Sequence, residues 1–236
     1  MLCHGVAPKS FLDANVIPIP KNPKLNLSDS NNYRAIALSS IFGKILDKII
    51  IAAQSEQLNT SDMQFGFKPQ SSTIMCSTIL IETIEYYVFN HSPVYVLLID
   101  ASKAFDRVCH SKLFELLHHH NVCPIILRLL YNIYSRSEMQ VKWKNSLSST
   151  FKLLNGVKQG GVFSPILFSL YIDGLLVRLK NSGIGCHIGL NYAGAFGYAD
   201  DIALVSPSLY GLRRMINICE MYAIEFDIIC NPKKSK

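Results

Sequence analysis

The apolar positions of this chain fall into two patterns: short runs that stop on an acid, and longer stretches with helical spacing. Val94-Tyr95-Val96-Leu97-Leu98-Ile99 is a nearly unbroken apolar run of strand length, and it ends on Asp100. Ala195-Phe196 leads into Gly197-Tyr198-Ala199-Asp200-Asp201, and Ile202-Ala203-Leu204-Val205 follows. That pattern predicts a β-hairpin whose tight turn carries both acids out of a hydrophobic sheet. Residues 15–21 read as a further short strand, and Pro18 and Pro20 predict an edge position because proline cannot donate to a ladder. Residues 33–38 return to strand character. Ser39-Ser40 then caps a helix over 41–58, in which Ile41, Ile45, Leu46, Ile49 and Ala53 form the packing face.

Helical spacing recurs over 71–89, 111–120, 124–134, from Ser164-Pro165 onward, and over 209–222. In the fourth of these Ile166, Leu167, Leu170, Tyr171, Leu175 and Leu176 keep the 3.6-residue period, and Pro165 suits the first turn. Residues 139–144 and 149–154 predict a strand pair joined by Asn145-Ser146, and 224–229 predict a last strand. Gln64 to Pro69 is a break, Asn155 to Gly161 a flexible loop, and Gly183, Gly185 and Gly189 mark turns. Asp106 fits the cap of the helix that follows it. Strands interleave with helices without the strict alternation of a parallel sheet, so the fold class is α+β.

Composition narrows the function without naming it. Hydrophobic residues make up 49% and charged residues 17%, which excludes a disordered chain. The net charge of +6 permits a polyanionic partner without requiring one. No apolar run reaches the roughly 20 residues that span a bilayer, and the first residues carry no secretory signal. The cysteines are scattered and never in a Cys-x-x-Cys pair, which fits free thiols in a reducing compartment and argues against a structural zinc site, and leaves nucleus and cytoplasm undistinguished. His118-His119-His120 face three directions on a helix and do not make a metal site. The chemistry lies with the acids. Two adjacent carboxylates repel, so the Asp200-Asp201 turn calls for water or a cation. If the 94–99 strand lies beside the hairpin, Asp100, Asp200 and Asp201 meet at one sheet edge. Hard oxygen donors in that arrangement suit Mg²⁺ rather than Zn²⁺ and predict a two-metal nucleotidyl-transfer site.

Several segments in order carry a family resemblance. Asp100-Ala-Ser-Lys-Ala-Phe-Asp106, Gln159-Gly-Gly-Val-Phe-Ser-Pro165, Tyr198-Ala-Asp-Asp201 and Asn231-Pro-Lys-Lys-Ser235 resemble the palm motifs of reverse transcriptases. Val16-Ile-Pro-Ile-Pro-Lys21, Tyr33-Arg-Ala-Ile36 and Gln64-Phe-Gly-Phe67 resemble the fingers segments of the non-LTR retrotransposon branch. The resemblance implies a right-hand fingers/palm fold with an antiparallel palm sheet packed on helices. Fingers would span residues 1–92, truncated at the N-terminus. The palm, with part of the fingers inserted, would span 93–236 and stop before an absent thumb. Together these form one reverse transcriptase domain.

The same resemblance implies an RNA template, a DNA primer, dNTP substrates and two Mg²⁺ ions held by Asp100, Asp200 and Asp201. Phe105 would pack under the incoming sugar and favour dNTP over rNTP. Lys21 and Arg34 would contact the triphosphate, Gln159 and Gly160 would lie against the nascent base pair, and Tyr198 would join them as a substrate contact. Lys234 would protonate the leaving pyrophosphate. A catalytically inactive, truncated nucleic-acid-binding remnant of such a polymerase, or another palm-type enzyme such as a nucleotide cyclase, stays open as an alternative.

Overall fold

The computed structural model describes residues 4–101, 104–231 and 235. The chain starts with a helical turn, α1 (Lys9–Leu12), followed by strands β1 (Ala14–Pro20) and β2 (Tyr33–Ser39). Next come α2 (Ile41–Ala53), α3 (Thr73–Phe89), β3 (Tyr95–Asp100), the short α4 (Ala104–Arg107), α5 (His110–His119) and α6 (Pro124–Arg136). Strands β4 (Glu138–Trp143), β5 (Ser146–Leu147) and β6 (Phe151–Lys152) precede α7 (Ser164–Asn181). The last elements are β7 (His187–Ile188), β8 (Asn191–Tyr192), β9 (Ala195–Tyr198), β10 (Asp201–Ser206) and α8 (Leu209–Glu225). Serines start three of the long helices. Ser40, Ser72 and Ser208 accept from the N–H groups of Gly43, Met75 and Gly211, satisfying donors that a helix leaves open in its first turn.

Four sequence expectations are corrected here. Helix α2 stops at Ala53 instead of residue 58, because the Gln54 carboxamide turns away to accept from Cys123 N–H at 2.7 Å, just before α6. Its packing face is also different: Leu46 and Ile50 are buried, whereas Ile41, Ile45 and Ile49 stay exposed. The expected strand over 224–229 begins as helix. Tyr222 and Phe226 stack at 4.1 Å and Glu225 pairs with Arg178 at 2.7 Å, so α8 continues to Glu225. Asp106 lies within α4, and the cap position of α5 is Cys109, whose side chain makes no capping bond.

The chain divides into two compact units, each discontinuous in sequence: Met1–Leu58 with Cys109–Ser164, and Asn59–Val108 with Pro165–Lys236. In the first, the sheet order is β2-β1-β4-β5, with β6 also on β4. Strand β1 is therefore not an edge: it runs antiparallel to β2 along its length and parallel to β4 over Ala14–Val16. The prolines are tolerated for a positional reason. Lys21 N–H donates to Asn32 O, so by alternation the N–H groups of 15, 17 and 19 face β2 and those of 16, 18 and 20 face the other side. Pro18 and Pro20 thus lack a donor only where β4 no longer pairs. Ala14, Val16, Ala37 and Met139 form a small core on one face of this sheet.

The second unit holds an antiparallel sheet of order β3-β10-β9. Helix α8 packs on β3 and β10, and α3 packs on β9. Helix α7 is buried nearly all round, with Leu167, Phe168, Leu170, Tyr171, Ile172, Leu176 and Leu179 at 1% exposure or less, as expected of a central helix. Tyr222 Oη donates to Tyr171 O and Tyr171 Oη to Phe226 O, both at 2.6 Å, which ties α8 to α7 with every buried hydroxyl of the pair satisfied.

Candidate active site

The acids that end β3 and start β10 face each other. Asp201 is the direct cross-strand partner of Asp100, and Tyr198 on β9 is the partner of Asp201 from the other side. Directly opposed residues in an antiparallel pair share a face with Cβ atoms about 4.5–5.5 Å apart, and like charges there are destabilising. Asp200 sits next to them in the turn between β9 and β10, after Ala199, whose φ of +58° is left-handed. Among the described residues no three His, Cys, Asp or Glu side chains gather closely enough to enclose an ion. The acids therefore form a facing pair, with their neighbour in the turn. The face they share opens into a cleft of about 730 Å³, whose walls include Thr73, Ser77 and Leu80 of α3 with Leu98, Phe196 and Tyr198 of the sheet. That volume is of ligand size.

Cys230, Asn231 and Ser235 come to the same place. Asn231 N–H donates to Asp100 O at 2.8 Å, Ala101 bridges to Cys230, and Ser235 Oγ accepts from Asp100 N–H at 3.5 Å. Lys234, expected here, lies outside the described residues. Phe105 on α4 stacks on the buried Phe168 ring at 4.8 Å and meets Phe67 edge-on at 6.2 Å, so its ring is held from two sides.

The turn itself is braced from behind. Gln64 has no exposed surface, and its Oε1 accepts from Ala199 N–H at 3.0 Å and from Gly66 N–H at 2.8 Å. Phe65 N–H donates to Gly197 O and Gly197 N–H to Met63 O, so residues 63–65 run beside β9 as an extra strand segment. Asp173 of α7, itself buried, accepts from Ser61 N–H and Ser61 Oγ at 2.9 and 2.6 Å and anchors the start of that segment.

The remaining expected residues belong to the other unit and are described there by themselves. Ile19 is the cross-strand partner of Arg34, and Lys21 follows just past the end of β1, its Nζ donating to Asn31 O at 2.9 Å. Gln159 O accepts from Ala37 N–H at 2.6 Å, extending the outer edge of β2. Gly160 follows with φ +94°, and a Cβ there would meet Ala37 O at 3.1 Å and Ile36 Cγ2 at 3.2 Å. Both its backbone conformation and its close approach require glycine. The loop expected to be flexible is tied down. Gly156 O meets His110 Nε2 at 2.8 Å, and Lys158 Nζ donates to Leu12 O at 2.7 Å. The Asp47 carboxylate takes the N–H groups of Phe163 and Val162.

Burial pushes the Asp47 carboxyl up to about 6, although those two N–H groups and the nearby Lys158 ammonium oppose the shift. Lys158 is lowered by its own burial, against the pull of Asp47 and Asp13. The sign of the pH effect follows. The folded protein holds the Asp47 proton to a higher pH than the unfolded chain does. Stability tied to Asp47 is therefore complete below about pH 4 and is lost as pH rises through about 6. We expect urea-unfolding free energy to fall by about 1.4 kcal/mol per pH unit across that window relative to Asp47→Asn. Parallel pH profiles for the two proteins would refute this.

Sequence reasoning missed Asp47, Gln64, Gly66 and Ala199 as individual residues. Gln64, Gly66 and Ala199 carried a signal only as members of resembling segments, and Asp47 carried none.

The profile of the family described as reverse transcriptase (RNA-dependent DNA polymerase) matches residues 19–236. The Pol polyprotein of the type-2 retrotransposable element R2DM from Drosophila melanogaster is 27% identical over 92% of this chain and 20% of its own length. The RNA-directed DNA polymerase from mobile element jockey of Drosophila funebris is 25% identical over 98% of this chain and 26% of its own. The chain thus spans about a fifth to a quarter of such relatives. Among solved structures, telomerase from Candida tropicalis in complex with a fragment of telomeric RNA aligns with a TM-score of 0.70 at 12% identity, over 98% of this chain and 41% of that one. At that identity the likeness concerns the fold.

Proposed function

The chain belongs to the reverse transcriptase family, and on that premise we propose that it adds dNTPs to a primer 3′-hydroxyl under the direction of an RNA template, as the polymerase domain of a non-LTR retrotransposon. The observation that carries this reading is the Asp100–Asp201 pair, facing across two strands into a cleft of ligand size. The family uses divalent metal ions. Mg²⁺ is commonly held by one or two carboxylates, with waters and substrate phosphates completing its octahedron, and the facing acids fit that donor set. In our reading Asp100, Asp200 and Asp201 hold two such ions. Ions bound there would supply activation of the primer hydroxyl and neutralisation of charge on the triphosphate and the leaving pyrophosphate.

The protein's own side chains do the rest. Lys21, just past β1, and Arg34 on β2 take the triphosphate through a point charge and a forked guanidinium. Gly160 lets the backbone lie against the nascent base pair, with Gln159 beside it and Tyr198 flanking the acids. Lys234 gives the pyrophosphate its proton. Phe105, fixed against Phe168, fills the space that a ribose 2′-hydroxyl needs. Residues 1–92 act as fingers and 93–236 as palm with inserted fingers.

Primer extension on matched RNA and DNA templates with Mg²⁺ tests the reading. Incorporation of dNTPs on RNA supports it. Salt-sensitive RNA binding without any incorporation would mark the chain as a binding remnant. For Phe105→Ala we expect the preference for dNTP over rNTP, measured as a ratio of kcat/KM values, to drop by roughly 10–100-fold. An unchanged ratio would remove Phe105 from the sugar site.

A further inference from the structure

We propose that Gln64 is a positioning residue for the metal site: its buried carboxamide fixes the turn that presents Asp200 and Asp201. The inference rests on the polymerase reading above and deepens it. Ala199 carries a φ of +58°, a conformation that costs an L-residue free energy and that a bare hairpin turn would give to glycine or asparagine. Something must hold it. Gln64 Oε1 accepts from Ala199 N–H at 3.0 Å, and Gln64 Nε2 lies 3.5 Å from Ala199 O, so one side chain grips both ends of the strained residue.

The grip is itself immobilised. The same Oε1 takes Gly66 N–H at 2.8 Å, Gln64 is wholly buried, and the parallel bridge between Gln64 and Gly197 sets its distance from β9. Asp173 then secures the approach at Ser61. The chain is continuous from the clamp to the acids: Ala199, Asp200, Asp201, and across the ladder Asp100. An octahedral Mg²⁺ site demands close placement of its oxygens. A turn free to relax toward ordinary φ values would carry both carboxylates with it.

Two measurements test this. The first uses the wild-type protein alone. Ala199 N–H sits in a tight turn, yet the clamp predicts that its hydrogen exchange is at least roughly a hundredfold slower than that of an open turn amide. Exchange at the open-turn rate overturns the proposal. The second compares the wild type with Gln64→Met, which keeps the volume and removes both acceptor bonds. We expect Mn²⁺ affinity, read by the paramagnetic resonance signal of the free ion, to weaken roughly ten-fold. The Mg²⁺ concentration for half-maximal primer extension should rise by a similar factor with the KM for dNTP unchanged. A merely structural role would lower the amount of active protein without moving either ion requirement.

Adding Ala199→Gly to Gln64→Met should recover part of the Mn²⁺ affinity, because glycine accepts the same φ without strain. Equal Mn²⁺ affinity in folded wild type and Gln64→Met overturns the proposal. A Gln64→Met protein that does not fold leaves the decision to the exchange rate. If the wild type binds no Mn²⁺ and extends no primer, the polymerase reading fails, while Ala199 exchange still judges the clamp.

Discussion

Asp100→Asn, and separately Asp201→Asn, is expected to lower kcat for dNTP incorporation by about a thousandfold or more while leaving the affinity for an RNA template within about two-fold. The two acids are direct partners across β3 and β10. Like charges directly opposed across an antiparallel pair are unfavourable, and a divalent cation between them would convert that cost into attraction. Asparagine keeps the size of the side chain and deletes the charge on which a bound ion would depend. In the polymerase reading template affinity would stand on phosphate contacts away from these acids, so it should not follow. A linked effect separates this from misfolding. Adding Mn²⁺ should raise the melting temperature of the wild type, because an ion that binds only the folded state stabilises it by mass action. Asp100→Asn should melt at the same temperature with and without the ion. A variant that retains more than a tenth of wild-type kcat would remove that acid from the metal site.

How much of this was visible in the residues differs from element to element. The strand ending on Asp100 and the hairpin around Asp200-Asp201 were legible because a half-buried sheet leaves an apolar run and a turn in the sequence. The helix start at Ser40 was legible because the cap is local chemistry. The edge assignment of β1 failed because the proline rule holds for a side of a strand, and β4 covers only the half that has no proline. The apolar stripe Ile41, Ile45, Ile49 misled because α2 is apolar on more than one side, and periodicity cannot say which side meets a partner. The predicted strand after Tyr222 lost to contacts made with Arg178, far away in the sequence.

The functional support was the least legible part. Gln64 bonds to a residue 135 positions away, and a glutamine next to an aromatic gives no hint of that. Asp47 likewise looks like an ordinary helix acid, and only the fold brings Lys158 and the N–H groups of Val162 and Phe163 to it. Resemblance pointed at the residues that touch substrate in other proteins of the kind. It gave no role to those that hold these residues in place, even where they fall in a resembling segment, because such contacts join segments that have no local pattern in common. The telomerase likeness is one of fold at low identity, so the braces can be read only from this chain's own geometry.

Gly66→Ala is the second change with a large expected effect, about 3 kcal/mol of lost stability and at least roughly a hundredfold lower incorporation rate. A Cβ at position 66 would lie 2.2 Å from Ala199 N and 2.8 Å from Ala199 Cα, with Gln64 Oε1 at 3.0 Å. The first two are backbone atoms of the turn, so no side-chain rotation can make room. Either the 63–66 segment leaves β9, losing the bonds of Phe65 and Gly197, or the turn moves and takes Asp200 and Asp201 with it. Both routes act on the acids, and a displacement near 1 Å in a reacting geometry is enough for a hundredfold loss. Gly183→Ala supplies the contrast. Gly183 has φ +65°, and a Cβ there would meet nothing within 4 Å, so only the backbone penalty remains, about 1 kcal/mol, with incorporation unchanged. Urea unfolding and single-turnover extension of the two variants check the pair. Equal losses in both would mean that the space behind the Ala199 turn is not filled as described, and the bracing of the acids would have to be sought elsewhere.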